Sequence, residues 1–188
     1  TAFFDLTKSN IGVTDPVDPF NTRLIGEARS QGLEFDVSGE ILPGWRVIAA
    51  YTHLTDAKVT RDTGFDGGPG NTGKRLFLAP RNSGSLWTTY EFPTYDIYGM
   101  NLSGLKIGGG VQGQDGRFGD PGNTYYLPSY AVFNLMAAYS FKVMDKKVTA
   151  QLNVENLFNR TYYVGTNTGS FITPGAPTSL LGSLKMEF

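Results

Sequence analysis

The chain has 188 residues, of which 40% are hydrophobic and 18% are charged, and its formal net charge is −1. No excess of basic residues is present, so we predict no nucleic-acid partner. It contains no cysteine, which excludes disulfides and thiolate metal sites, and no run approaches the roughly 18 apolar residues of a membrane-spanning helix.

Extended segments follow one another along the whole chain, and no stretch has a convincing helical period. The pattern predicts about eight strands, at residues 1–9, 29–42, 45–58, 77–92, 101–114, 126–142, 147–162 and 177–188. The predicted fold class is therefore all-β and antiparallel.

Alternation of apolar and polar residues is strict near the C-terminal end. Residues 148–155 and 180–188 place apolar side chains on one face and polar ones on the other, because successive strand residues point to opposite sides. In residues 131–141 one face is entirely apolar and the other is mixed. This pattern is typical of a membrane β-barrel with an apolar outside and an aqueous inside. We expect the polar row Glu34, Asp36, Ser38 and Glu40 and the row Thr149, Gln151, Asn153 and Glu155 to face that interior.

The connections alternate in length. Residues 10–28, 59–76, 115–125 and 163–176 form long segments rich in Gly, Asn, Asp and Pro, whereas the turns at 42–44 and 144–146 are short. Outer-membrane barrels have short periplasmic turns and long extracellular loops, so the long segments are predicted to lie outside the cell.

A glycine run at residues 108–113 formally matches the dinucleotide-binding pattern G-x-G-x-x-G. That motif requires a following helix, and none is predicted here. We interpret these glycines as a strand feature that relieves curvature.

Three segments carry a family resemblance. The run Asn156-Leu157-Phe158-Asn159-Arg160-Thr161-Tyr162-Tyr163, before a last strand that ends in Phe188, resembles the C-terminal signature of TonB-dependent outer-membrane receptors. Residues 27–34 with the turn at 42–45 resemble a strand–turn–strand pattern of the same family, and residues 79–82 with 86–90 resemble its next strand. The similarity covers essentially the whole chain and is closest to ferric-siderophore receptors.

The resemblance implies a barrel of twenty-two strands in the outer membrane, of which residues 1–188 form a C-terminal part. It also implies a plug domain and a contact with the TonB complex, both through regions absent from this sequence. The chain starts at Thr1 within a strand-like run, with no signal peptide, and we expect it to be one piece of a longer protein. Phe188 matches the terminal aromatic residue that implies recognition by the barrel-assembly machinery.

The implied function is uptake of a ferric siderophore, bound as the transported ligand and not as a covalent cofactor. No catalytic residue and no metal site are predicted, so the chain is not expected to be an enzyme. Besides membrane lipid and the plug, the partner is the ferric complex, which suits aromatic and cationic contacts. The candidate ligand-binding side chains in the loops are Phe65, Arg75, Arg117, Phe118, Tyr125, Tyr163 and Phe171; for each of them, packing within its own loop is the competing interpretation.

Other functions remain open at this stage. Eight strands can close around a side-chain-filled interior, so a complete small outer-membrane protein with a structural or adhesive role is one alternative. A receptor for haem, cobalamin or another nutrient is a second alternative. A soluble β-sandwich binding module is the third.

Overall fold

The computed structural model describes residues 1–15, 18, 20–63, 70–93, 102–167 and 171–187. Twelve strands occur in these residues: β1 (Ala2–Thr14), β2 (Thr22–Leu42), β3 (Trp45–Arg61), β4 (Asn82–Glu91), β5 (Leu105–Gln114), β6 (Arg117–Phe118), β7 (Tyr126–Leu127), β8 (Tyr130–Val143), β9 (Lys146–Glu155), β10 (Tyr163–Asn167), β11 (Phe171–Pro174) and β12 (Ser179–Glu187). Among the described residues, no helix is long and apolar enough to cross a membrane.

Eight strands form one antiparallel sheet in the order β1-β2-β3-β4-β5-β8-β9-β12. The predicted number of principal strands is confirmed. Within the described residues β1 pairs only with β2, and β12 only with β9, so the sheet is open and the closed eight-stranded barrel is not formed.

The strand register confirms the two-faced pattern. Phe133 lies opposite Val111, Leu152 lies opposite Ala137, and Leu184 lies opposite Ala150, so the apolar rows of neighbouring strands share one face. We call this the outward face and the other the inward face. Both predicted polar rows, from β2 and β9, belong to the inward face.

The apolar row does not converge on a dry core. Leu184 is 78% exposed, Leu152 is 48% exposed and Phe133 is 44% exposed, and few described apolar side chains are buried. A soluble sandwich would bury these residues between two sheets. A face of this kind needs hydrocarbon as its solvent, which contradicts the β-sandwich alternative.

Two tight turns mark one end of the sheet. Met144 and Asp145 both have positive φ, at 49° and 63°, as in the two-residue turns whose twist matches a β-hairpin. Pro43 and Gly44 join β2 to β3, and the φ of Gly44 is +80°. Both predicted short turns are therefore confirmed.

The predicted loop at residues 10–28 is wrong in extent, because β1 continues to Thr14 and β2 begins at Thr22. Strand β2 has 21 residues, whereas about ten tilted residues cross the apolar layer. The β1–β2 hairpin thus extends beyond the apolar layer, and there both faces of the hairpin meet water. Apolar–polar alternation no longer marks a strand in such a region. Similarly, the predicted loop 163–176 contains the β10–β11 hairpin.

The glycine run lies inside β5, as the strand interpretation predicted. A Cβ on Gly110 would overlap the indole of Trp87 and the Leu86 carbonyl on the adjacent strand β4. Glycine is needed here because backbone and indole approach too closely for any side chain.

Candidate functional site

Three segments at the end of the sheet opposite the tight turns are tied together. The amide of Leu78 donates to the Phe118 carbonyl at 2.8 Å. Arg75 and Asn123 exchange two hydrogen bonds, of 2.9 and 3.0 Å, between backbone and side-chain amide. The hydroxyl of Thr166 donates to the Gly119 carbonyl at 2.7 Å. The segments following β3, β5 and β9 therefore form one cap at this end of the sheet.

Arg117 lies at the centre of this cap and is only 3% exposed. Its guanidinium donates to the carbonyls of Tyr163 and Val164 at 2.9 and 3.0 Å, and it lies 5.8 Å from the ring centre of Tyr130. The Gln114 amide, oriented with its oxygen toward the guanidinium, accepts further bonds at 2.9 and 3.0 Å. Burial lowers the pKa of Arg117 from its ordinary value. Its donors are thus directed at neutral oxygens of the chain itself.

The loop at residues 119–125 is organised around Asp120. Its carboxylate accepts from the amides of Thr124 and Tyr125 at 2.7 and 3.3 Å and from the Thr124 hydroxyl at 3.1 Å. Burial raises the pKa of Asp120, but these hydrogen bonds outweigh it, and the pKa lies below the ordinary value. Such a carboxylate closes a local turn and fixes the position of Tyr125.

The predicted ligand-binding side chains take several roles. Phe118 contacts Tyr126 in an edge-to-face arrangement at 5.6 Å, and the Tyr125 hydroxyl donates to the Gly119 carbonyl at 2.9 Å. Tyr163 supplies a carbonyl to Arg117, whereas Phe171 is 73% exposed on β11. Arg75 pairs through its backbone with Asn123. Phe65 and Phe188 lie outside the described residues. The cap thus brings Arg117, Phe118 and Tyr163 together, while Phe171 projects from the hairpin.

A cavity of about 360 Å³ opens on the inward face below the cap. Its walls include Thr52, Ser83, Ser85, Gln112, Gln114, Tyr130, Tyr162 and Val164. Apart from the roof residues Tyr162 and Val164, these side chains lie on the inward face of β3, β4, β5 and β8. Tyr51, Ala50 and two glycines complete the lining, which combines hydroxyl and amide groups with the phenol rings of Tyr130 and Tyr162 and contains no charged side chain. We call it the lumen pocket.

The two phenol rings are held in place by the chain around them. Tyr130 and Tyr162 contact at 4.7 Å between ring centres, and the Gly175 amide donates to the Tyr162 carbonyl at 2.8 Å. A Cβ on Gly175 would overlap the Tyr162 ring, so the ring packs directly on the Gly175 backbone. Sequence reasoning missed Tyr130, Tyr162 and both glutamines as site residues. The alternation of residues along β5 and β8 could have shown that Gln112, Gln114 and Tyr130 point inward. No local pattern could have shown that Tyr162 folds over them.

The signature at residues 156–163 forms a turn around Asn156, which is only 2% exposed. Its side chain donates to the carbonyls of Arg160 and Ala176, both at 2.9 Å, and accepts from the Arg160 amide at 2.8 Å. The Thr178 hydroxyl donates to the Asn156 carbonyl at 2.7 Å. This turn directs Phe158 to the outward face and Tyr162 to the inward face.

Together, the open antiparallel sheet, its exposed apolar face and its polar inward face define a sector of a transmembrane β-barrel. A family model described as "TonB dependent receptor-like, beta-barrel" matches residues 1–157. The chain belongs to the TonB-dependent receptor family, whose members are proteins of the bacterial outer membrane.

Among similar proteins, the metal-pseudopaline receptor CntO of Pseudomonas aeruginosa is 34% identical over 188 residues, which is 100% of this chain and 25% of the relative. The ferrioxamine B receptor of Salmonella typhimurium is 33% identical over 189 residues, with the same two shares. The crystal structure of the siderophore receptor PiuA from Acinetobacter baumannii has a TM-score of 0.80 at 28% identity, covering 98% of this chain and 25% of that one. This chain thus spans about a quarter of the length of these relatives.

Proposed function

We propose that residues 1–188 form the C-terminal part of the barrel of a receptor that takes up a ferric siderophore across the outer membrane. Family membership supports this proposal, as do relatives named as receptors for ferrioxamine B and for a metal–pseudopaline complex. The observation that carries it is the lumen pocket, because a polar, aromatic cavity on the inward face of a barrel wall is open to solute and shielded from lipid.

In this proposal the cap positions the contact residues. Tyr130 and Tyr162 offer ring faces and Gln112 offers an amide to a bulky iron complex. Arg117 acts as a positioning residue, because its donors already bind the backbone of the β10–β11 hairpin. Phe171, exposed on that hairpin, would make the first contact, and Arg75, Phe118, Tyr125 and Tyr163 would support the cap.

The remaining partners follow from the family and are part of the proposal. A plug domain would fill the barrel against the inward polar rows, and TonB would supply work through a region outside this sequence. Phe188 would be recognised by the assembly machinery, and lipid would cover the outward face. Because the sheet ends at β1 and β12, strands from elsewhere in the barrel would pair with both edges.

The test uses the full-length receptor with Tyr162→Leu and Gln112→Leu, separately and combined. We expect affinity for the cognate ferric siderophore to fall by about ten-fold for each change, since an aromatic contact and a hydrogen bond each contribute about 1 kcal/mol or more. Thr149→Val is the matched control, because Thr149 is also inward but lies near the tight-turn end, where its hydroxyl contacts Ser140.

Ligand binding and uptake are measured with a ferric trihydroxamate, a ferric tris-catecholate and haem, each labelled with radioactive iron, and with cobalamin labelled with radioactive cobalt. Uptake of one ferric siderophore, impaired by the pocket variants and not by the control, supports the proposal. If only haem or cobalamin is taken up, that nutrient and not a ferric siderophore is the substrate of the receptor. Unchanged affinity in the double variant would remove the lumen pocket from the binding site.

A further inference from the structure

A second cavity, of about 440 Å³, lies at the turn formed by residues 156–163, on the opposite side from the lumen pocket. Its walls are Ser129, Tyr130, Ala131, Phe133, Asn156, Phe158 and Arg160. Ala131 and Phe133 belong to the outward row of β8, and Phe158 contacts Phe133 edge-to-face at 5.4 Å. Phe158 is nonetheless 70% exposed. This cavity therefore opens toward lipid, and we call it the outward pocket.

The height of the outward pocket follows from the strand. Phe133 lies ten residues before Val143, the last residue of β8 before a tight turn. At about 3.3 Å per residue and a tilt of about 45°, this distance corresponds to roughly 23 Å along the membrane normal. The apolar band of such barrels is about 25 Å tall, so Phe133 lies at its extracellular edge. Arg160, at the same pocket, lies where hydrocarbon meets the headgroups of the outer leaflet.

Arg160 differs from three cations of β2 and β3 in having no ion pair among the described residues. At the extracellular end, Arg23, Arg29 and Lys58 form ion pairs with Asp15, Asp5 and Asp56 at 2.6 to 3.0 Å. No carboxylate of the described part of the chain lies within 4.0 Å of the Arg160 side chain. Its backbone is fixed by the Asn156 side chain on both its amide and its carbonyl. A cation on a rigid turn beside two apolar rings is complementary to a lipid that carries an anionic headgroup.

We propose that the outward pocket binds a phosphorylated glycolipid of the outer leaflet. The guanidinium of Arg160 pairs with a headgroup phosphate, for which its planar fork is suited. An acyl chain lies along Phe133 and Phe158, where apolar contact replaces bulk hydrocarbon. This assignment gives the arginine of the signature turn a role that does not depend on which nutrient the receptor carries.

The experiment measures lipid binding to the delipidated full-length receptor in non-ionic detergent by native mass spectrometry. The probes are bisphosphorylated lipid A, dephosphorylated lipid A and inorganic phosphate. We expect Arg160→Gln to weaken binding of phosphorylated lipid A by about ten-fold, as loss of a charge-assisted hydrogen bond does. Binding of the dephosphorylated form should not change. Phe158→Ala should weaken binding of both lipids.

Arg46→Gln is the matched control, since Arg46 is an inward cation near the tight-turn end and pairs with Glu40 at 3.6 Å. It should bind both lipids as the wild type does, and ferric-ligand affinity should be unchanged in Arg160→Gln, which verifies folding. An Arg160→Gln receptor that keeps the wild-type preference for phosphorylated lipid A overturns the proposal. Competition by inorganic phosphate as strong as that by lipid A overturns it too, because the site would then be a free-phosphate site.

Discussion

Replacement of Asn156 by alanine tests whether the signature turn depends on one buried amide. The side chain makes three hydrogen bonds, two to carbonyls and one from an amide, and it is almost completely buried. Its φ is 49°, in the left-handed region that asparagine tolerates and alanine does not. The variant therefore combines the loss of three contacts with backbone strain.

The magnitude follows from these two contributions. Three buried hydrogen bonds at about 1 kcal/mol each, with roughly 1 kcal/mol for alanine at positive φ, give about 4 kcal/mol. This free energy corresponds to a roughly thousand-fold shift in the local opening equilibrium. Asn156→Gly removes the hydrogen bonds without the strain, so it should cost about 1 kcal/mol less than Asn156→Ala.

The assay is amide hydrogen exchange of the full-length receptor in detergent, followed by mass spectrometry of peptides that cover residues 156–178. Exchange in this segment reports its own opening, not the unfolding of the whole barrel. Asn153→Ala is the matched control. Asn153 accepts one 2.9 Å bond from Gln151 and donates a long one of 3.5 Å, so we expect less than about 1 kcal/mol. If residues 156–178 of Asn156→Ala exchange at a rate within ten-fold of the wild-type rate, the Asn156 side chain does not hold this turn.

Three further predictions concern the cap and β5. Arg117→Met should release the hairpin backbone, so exchange at residues 163–167 should accelerate at least ten-fold, and unchanged protection would mean that other contacts hold it. Gly110→Ala should destabilise the barrel by about 1–3 kcal/mol in urea unfolding because of overpacking, whereas Gly182→Ala, with open space around its Cβ, should have little effect; equal effects would contradict this account. The lowered pKa of Asp120 means that the folded loop favours the ionised carboxylate. The stability that this carboxylate gives the loop is therefore complete above the ordinary aspartate pKa of about 3.9 and is lost as the pH falls through the lower pKa of the folded state. Exchange at residues 119–125 should therefore rise below about pH 4 relative to Asp120→Ala, and a parallel pH response in both proteins would contradict this assignment.

The strands could be predicted because their signal is local. A period of two in residues 131–141 and 148–155 requires only that one side be apolar and the other wet. The same pattern failed above the membrane, where both sides of β1 and β2 meet water and residues 10–28 lose their alternation. The two tight turns were also evident, since Pro43, Gly44 and Asp145 belong to residue types that turns favour.

The site could be predicted only in part. Aromatic residues and arginines in the loops could be identified by residue type. Residue type does not tell whether a guanidinium donates its hydrogen bonds to a ligand or to backbone carbonyls of the chain. The partners of Arg117 lie 46 and 47 residues further along the chain, at a distance that no local pattern encodes.

The sequence alone determined about eight strands with one apolar and one polar face, because side-chain solvation acts residue by residue along a strand. The exposure of the apolar face in the structure then excluded a soluble sandwich. Tertiary structure alone decided which side each loop folds over. It turned Tyr162 inward onto Tyr130 and Phe158 outward onto Phe133, since the buried amide of Asn156 closes the turn between them. The lumen pocket and the outward pocket both result from that one turn.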